Sequence, residues 1–361
     1  MTSSYGTICH RPWDKIEVHQ IAIIGDRGGI VARRALIVGI DTYNSANNLN
    51  CCVADAKAMA ELLSRHKDGE KNFDCILLLD YTEDGSPITR PRLRAALNEL
   101  FNFDGEVLLY FSGHGFLSKT GGLICTSDAT RDDWGIPMQE VVDLAIQSPA
   151  SHILLILDCC HSGDIANPAT MNKDGGKSPL ATLRENMTVI AASRAGEGAI
   201  EGGGHGLFTG ALLDALEGGA ADHMGFVTDS ALYAYVSRRF TAWDQRPVYK
   251  TNSTDVLTVR ECEPLIGRLL LRQLATHFPK ADYQYRLDPE HEPEDEHGNL
   301  KEPVNQEKVA IAQLFKSYRD AGLLKPSDPK LQLYWAARRN ETVELTPRGR
   351  EYWWLVVNDK I

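Results

Sequence analysis

Leu154-Leu155-Ile156-Leu157-Asp158-Cys159-Cys160-His161-Ser162-Gly163 is a short apolar run that stops abruptly in a carboxylate, two thiols, an imidazole and a glycine. The pattern reads as a buried strand that delivers reactive side chains at its carboxyl end, where open α/β sheets hold their sites. Upstream, Val107-Leu108-Leu109-Tyr110-Phe111 runs in the same way into Ser112-Gly113-His114-Gly115. Two strands thus end in a His and a Cys.

A thiol of ordinary pKa is only slightly ionised at neutral pH, and the thiolate is the nucleophile, so an imidazole that takes its proton activates it. Gly113 and Gly115 allow a tight turn around His114, and Ser162-Gly163 can turn the chain so that backbone N–H groups face a developing oxyanion. Such a dyad suits hydrolysis of acyl bonds. Cys159 faces the opposite side of its strand and reads as core. His161 is a poorer base than His114, because adjacent side chains point apart, and the same divergence disfavours a metal cluster at 159–161. His152 and His205 read as ordinary or rim histidines.

Tyr110-Phe111-Ser112-Gly113-His114-Gly115 together with Asp158-Cys159-Cys160-His161-Ser162-Gly163 resembles the caspase-like cysteine peptidases of the metacaspase, paracaspase and prokaryotic caspase-homologue branch. The resemblance spans residues 33 to 260. By position it implies Cys160 as nucleophile, His114 as general base, and backbone N–H groups of Gly115 and Cys160 as oxyanion donors. The sequence departs from the animal Q-A-C-x-G pattern, which places it with the basic-substrate relatives. Asp55, in the first turn of an expected helix, reads by itself as a helix-dipole acid; its Cys52-Val53-Ala54-Asp55-Ala56 setting resembles the family's specificity pocket. Asp158 shares the Cys160 face, and the two carboxylates together would bind Arg or Lys of a substrate, Arg favoured for its fork. Asp128, at another strand end, is a further candidate for substrate binding.

The 361 residues allow one large domain and a small one, and 43% hydrophobic content is that of a folded globule. A net charge of −11 argues against nucleic-acid or anionic-membrane binding by the whole molecule. Eight scattered cysteines without a regular framework read as reduced thiols of a cytoplasmic protein, and neither an export signal nor a membrane span is expected. Relatives activated by calcium are known in the family, but no loop here has regular oxygen spacing, so no cofactor or metal is expected.

Strands at Arg34–Asp41, Phe73–Leu79, Val107–Phe111, Leu123–Asp128, Ile153–Leu157 and Met187–Arg194 alternate with helices, which predicts an α/β fold: a mostly parallel sheet flanked by helices on both faces. One strand and one helix are expected between His114 and Cys160. Residues 1–32 form an extension with a possible strand at Val18–Gly25. The long segment Asp164–Thr182 is either a site of self-cleavage, as in the resembling family, or a plain mobile loop. The glycines of 196–206 lack dinucleotide-binding spacing and read as a rim loop.

Residues 261–304 read as a linker with one helix, Leu265–His277, and a solvated acidic stretch around His291–His297. From 305 to 361 the pattern is helix Glu307–Gly322, a hairpin of Leu331–Trp335 and Glu341–Leu345, and a helix opened by Thr346-Pro347, which resembles a small winged-helix α+β domain. Residues 308–350 carry nine Lys or Arg against four Asp or Glu. That excess could touch phosphates, yet on an acidic molecule a partner-docking or regulatory role is favoured over nucleic acid. Two functions follow. One is an Arg/Lys-directed cysteine endopeptidase acting on protein substrates, controlled by an activator protein through the C-terminal domain, in a defence or cell-death role. The alternative is a partner- or DNA-bound regulator using the fold as a scaffold, against which the intact His114 and Cys160 argue.

Overall fold

A computed structural model describes residues 32–80, 86–118, 121–159, 183–192, 204–240, 247–295 and 297–361. The amino-terminal extension, Cys160 and the segment through Thr182 lie outside the described residues. The chain opens with β1 (Arg33–Gly39), α1 (Cys52–Ser64), β2 (Asp74–Leu79), α2 (Arg90–Phe101) and β3 (Glu106–Ser112). A three-stranded antiparallel sheet follows, made of β4 (Gly115–Ser118), β5 (Gly121–Thr130) and β6 (Asp133–Pro137). Then come α3 (Met138–Gln147), β7 (His152–Asp158), β8 (Met187–Ala191), α4 (Leu207–Asp214), β9 (Phe226–Thr228), α5 (Asp229–Ser237), β10 (Val248–Asn252) and β11 (Thr258–Glu261). The main sheet has the order β10-β8-β7-β3-β1-β2, parallel except for the edge strand β10.

Alternation along the strands explains the layering, since successive side chains leave opposite faces of a sheet. Leu36, Val38, Val107, Leu109, Phe111, Ile153, Leu155 and Leu157 pack on one face with the apolar stripes of α2 and α3. Ala35, Ile37, Leu108, Tyr110, Leu154 and Ile156 pack on the other with α1, α4 and α5. Each Leu or Ile buried in these layers stabilises the fold by roughly 1.5–3 kcal/mol. The expected sheet with helices on both faces is therefore present, and the parity of β7 sends Asp158 toward the α1/α4 side.

Local readings differ in several places. Between β3 and β7 lie three strands and one helix rather than one of each, because Gly115–Pro137 folds into its own small sheet. The run Val227–Phe240, which reads from sequence as one helix, begins as β9, and the turn Ala215–Gly219 continues α4 as a π-helical turn.

The C-terminal region contains α6 (Arg268–Arg272), α7 (Leu274–His277), β12 (Tyr285–Arg286), α8 (Gln306–Asp320), β13 (Leu324–Pro326), α9 (Leu333–Arg338), β14 (Thr342–Leu345) and α10 (Pro347–Val357). Residues 261–304 are not a free linker: Ile266, Leu271, Leu274, Phe278 and Leu287 belong to the same core as Phe315, Tyr318 and Tyr352, and β12 pairs with β14. The expected helix at 265–277 is two short ones. His291 and Glu292 are buried, His291 against Asp288 and Tyr285 and Glu292 against Lys316, so the start of this stretch is packed, while Glu294 and His297 are exposed as expected. The expected strand at Leu331–Trp335 is also corrected. Leu333, Ala336 and Ala337 are buried at helical spacing in α9, and the partner of β14 is β13.

Candidate active site

Strands β3 and β7 run side by side with Ser112 opposite Asp158, and Gly113 donates its N–H to the Asp158 carbonyl over 3.2 Å. The sheet register thus carries His114 off the edge at which β7 ends, two residues beyond a matched pair. The His114 N–H donates to Tyr43 Oη at 2.8 Å, and that hydroxyl donates to the Ile40 carbonyl. A Cβ on Gly113 would meet Tyr43 Oη at 2.6 Å and the Phe111 ring at 2.9 Å, so the close turn needs glycine there. The imidazole leans on the Tyr43 ring, with centroids 4.7 Å apart, and its Nε2 lies 2.7 Å from the Asn47 carbonyl. A carbonyl only accepts, so Nε2 carries the hydrogen and Nδ1 keeps the lone pair of a base.

Gly115 and Ile124 are a directly opposed pair, and Cys125 N–H bonds the His114 carbonyl. In an antiparallel ladder this makes Gly115–Ile124 a non-hydrogen-bonded pair, so the Gly115 N–H points away from β5.

The two pocket carboxylates meet at the N-terminus of α4. A Cβ on Gly206 would lie 3.5 Å from Asp55 Oδ2 and 3.6 Å from Asp158 Oδ2. Tyr110 Oη and Thr209 Oγ1 are 2.6 Å apart and Thr209 Oγ1 donates to Asp158 Oδ2 at 2.7 Å, a relay of hydroxyls aimed at the carboxylate. Backbone N–H groups add to it, from Gly206 to Asp55 and from Thr209 to Asp158, as anions at a helix N-terminus favour. Burial pushes the Asp158 carboxyl up to about 6, against the Thr209 hydrogen bond and with the Asp55 charge adding to the rise. Burial also raises the Asp55 carboxyl, opposed by its hydrogen bond to His205. Among the described residues no Lys or Arg pairs with either acid.

The third candidate, Asp128, is placed differently. Its Oδ1 accepts from the Arg90 N–H at 3.1 Å and from Thr126 Oγ1 at 2.6 Å, which ties β5 to the first turn of α2. The structure gives it no contact with Asp55 or Asp158. Cys159 is 3% exposed and sits in the α2/α3 layer. No group of His, Cys, Asp and Glu among the described residues is arranged to hold a metal.

Sequence reasoning did not find Tyr43, the Asn47 carbonyl or Thr209, and left His205 as a rim residue. A carbonyl has no side-chain signature, and Tyr43 and Thr209 stand in positions where a core residue reads the same. His205 follows an irregular glycine run; its Nδ1 lies 2.7 Å from Asp55 Oδ1.

Comparison with known proteins agrees with this geometry. A family model described as caspase domain matches residues 32–258. Metacaspase-7 of Arabidopsis thaliana is 30% identical over 155 residues, covering 38% of this chain and 37% of that protein. Metacaspase-2 of Trypanosoma brucei brucei is 30% identical over 183 residues, 44% of this chain and 51% of its own length. Metacaspase-1 of Kluyveromyces lactis is 27% identical over 160 residues, 40% and 36%. The match thus spans about a third to a half of the length of these relatives. With the caspase-domain match extending over more than half of the residues, and the parallel sheet turning His114 and Asp158 out at one edge, the chain belongs to the caspase-domain family of cysteine peptidases.

Proposed function

We propose that the chain is a cysteine endopeptidase that cuts proteins after basic residues, Arg ahead of Lys. In this reading His114 Nδ1 takes the Cys160 proton, the thiolate adds to the scissile carbonyl, and the oxyanion is met by the N–H groups of Gly115 and Cys160. Collapse forms a thioester, and the imidazolium returns its proton to the leaving amine. A water that gives a proton to His114 then attacks the thioester, releasing the carboxyl product and the thiol. The Asn47 carbonyl favours this cycle by holding the hydrogen on Nε2.

The observation that carries the specificity is the convergence of Asp55 and Asp158 beside Gly206 without a Lys or Arg partner among the described residues. Two buried carboxylates that repel one another are stabilised by a cation between them, and a guanidinium can engage both. The regulatory part of the proposal assigns the C-terminal region to an activator protein, in keeping with a defence or cell-death effector. It is supported by the direct contact of that region with the peptidase part: His223 Nε2 donates to the Ala321 carbonyl at 2.8 Å, and Tyr352 Oη accepts from the His223 N–H. A nucleic-acid role has less support, because Lys308, Lys316, Lys325, Arg319 and Arg348 all pair with nearby carboxylates.

The test is hydrolysis of fluorogenic peptides ending in Arg, Lys or Asp by the purified chain and by Cys160→Ala, with and without calcium. Arg-selective turnover lost in Cys160→Ala is the expected result. Turnover of the Asp peptide in preference, or turnover that survives Cys160→Ala, would overturn the assignment.

A further inference from the structure

The basic-side-chain pocket already contains a hydrogen-bond donor of this chain. His205 is 29% exposed at its side chain, while Asp55 beneath it is 2% exposed. The His205 Nδ1–H donates to Asp55 Oδ1, and the Gly206 N–H also bonds the Asp55 carboxylate. An incoming guanidinium that is to bridge Asp55 and Asp158 therefore finds Asp55 Oδ1 already engaged by the imidazole. We propose that His205 is a specificity-determining residue of this pocket, standing on Asp55 in the place of the substrate's cation and leaving it when a guanidinium or ammonium enters. The inference rests on the basic-residue specificity proposed above.

Two further features favour displacement. The ring also lines a cavity of about 340 Å³ whose other walls include Glu61, Leu62, Leu213, Asp214 and Glu217, so a displaced imidazolium has room and carboxylates to receive it. One of those acids, Asp214, is already paired with Arg239. Glycines flank His205 on both sides: Gly204 has φ +82° with open space where a Cβ would stand, and a Cβ on Gly206 would make only ordinary contacts with the two pocket acids, so the backbone beside the ring is uncrowded.

The charge bookkeeping sets the sign of a pH effect. Protonated, His205 is an ion-pair partner of Asp55 and competes with the substrate; neutral, it gives only an uncharged hydrogen bond that a guanidinium replaces easily. Asp41 and Cys51, in the connection from β1 to α1, lie within electrostatic reach of Asp55 and Asp158, and Glu61, Asp214 and Glu217 line the cavity. Protonation of the pocket acids weakens cation binding in any variant. The informative quantity is therefore the difference between the wild type and His205→Gln, which keeps a donor for Asp55 and loses the charge.

Steady-state kinetics of the full chain on Arg peptides are expected to show a KM lower in His205→Gln by roughly threefold to tenfold wherever NMR of the wild type shows the imidazole protonated, converging with the wild type where it is neutral. A KM raised at every pH would make His205 a prop for Asp55 and overturn the proposal, as would identical KM values throughout. A readout independent of turnover uses agmatine as the guanidinium probe, with His205 followed by NMR of the imidazole nitrogens. Agmatine binding that shifts the His205 resonances supports displacement. Binding that leaves them unmoved keeps the pocket and overturns the displacement, whereas no binding by the wild type overturns the basic pocket and the displacement together.

Discussion

Asp158 shows how a single carboxyl links specificity to stability. Burial lifts its folded-state pKa to about 6, above the value an Asp has in an unfolded chain. The folded protein therefore binds this proton more tightly, and the stability cost of ionising the group is absent below about pH 4 and fully present above about pH 6. Asp158→Asn should raise the midpoint of thermal unfolding at neutral pH, by the equivalent of up to about 2–3 kcal/mol, with the difference vanishing below about pH 4. The same variant should lose Arg-peptide turnover by about a hundredfold, because a substrate cation is left with one carboxylate. Calorimetry across pH and peptide kinetics check the two halves. At this scale the placement of His114 and Asp158 at strand ends and of Asp55 in a first helical turn was legible from residue type and spacing, while a pocket role for Asp55 came only from the family resemblance. The Asn47 carbonyl was not, because any residue supplies one, and His205 was not, because only the folded chain brings it to Asp55 from 150 positions away.

Elements hold the pocket through close backbone approach. A Cβ on Gly39 at the end of β1 would lie 2.4 Å from the Cys52 carbonyl and 2.8 Å from Ala56 Cβ. Gly39→Ala must push the start of α1 away from the sheet, and with it Asp55, whose helix is also anchored by Asp41 accepting from the N–H groups of Cys52 and Val53. The expected outcome is a stability loss of about 1–3 kcal/mol with a larger rise in KM for basic peptides than fall in kcat, read by denaturant unfolding and kinetics. The parallel strands were readable because their apolar runs are short, continuous and bounded. The stretch 331–338 was not, since Leu331, Leu333 and Trp335 alternate like a strand. What decides for a helix is the core waiting for Leu333, Ala336 and Ala337, while Trp335 remains 49% exposed. Of the three strands of Gly115–Pro137, β5 was expected at Leu123–Asp128, whereas β4 and β6 were missed for a related reason: period-two patterning is weak in short strands of a small sheet with glycine at several positions.

For the whole molecule, the C-terminal core is joined to the peptidase part at the turn before β9. His223 makes two hydrogen bonds across to Ala321 and Tyr352, its ring lies 5.2 Å from that of Tyr352, and Met224 packs against the C-terminal core. His223→Ala removes a bond worth about 1 kcal/mol and the ring contact with it. Thermal unfolding is expected to separate into two transitions in this variant, and limited proteolysis to cut more readily between 262 and 268; a single unchanged transition would show that the two parts are held by other contacts. No described helix is long and apolar enough to cross a membrane.

The alternation along β7 also behaves like a reading frame. Leu155, Leu157 and Cys159 belong to the α2/α3 layer, while Leu154, Ile156 and Asp158 face α1 and α4. Inserting one residue within this strand would shift every later side chain to the other face. Asp158 would be driven into an apolar layer, and Cys159 would be turned toward the pocket in place of its neighbour. Inserting two would restore the phase. Which of Asp158 and Cys159 looks into the pocket is thus decided by nothing more than the parity of the count that precedes them.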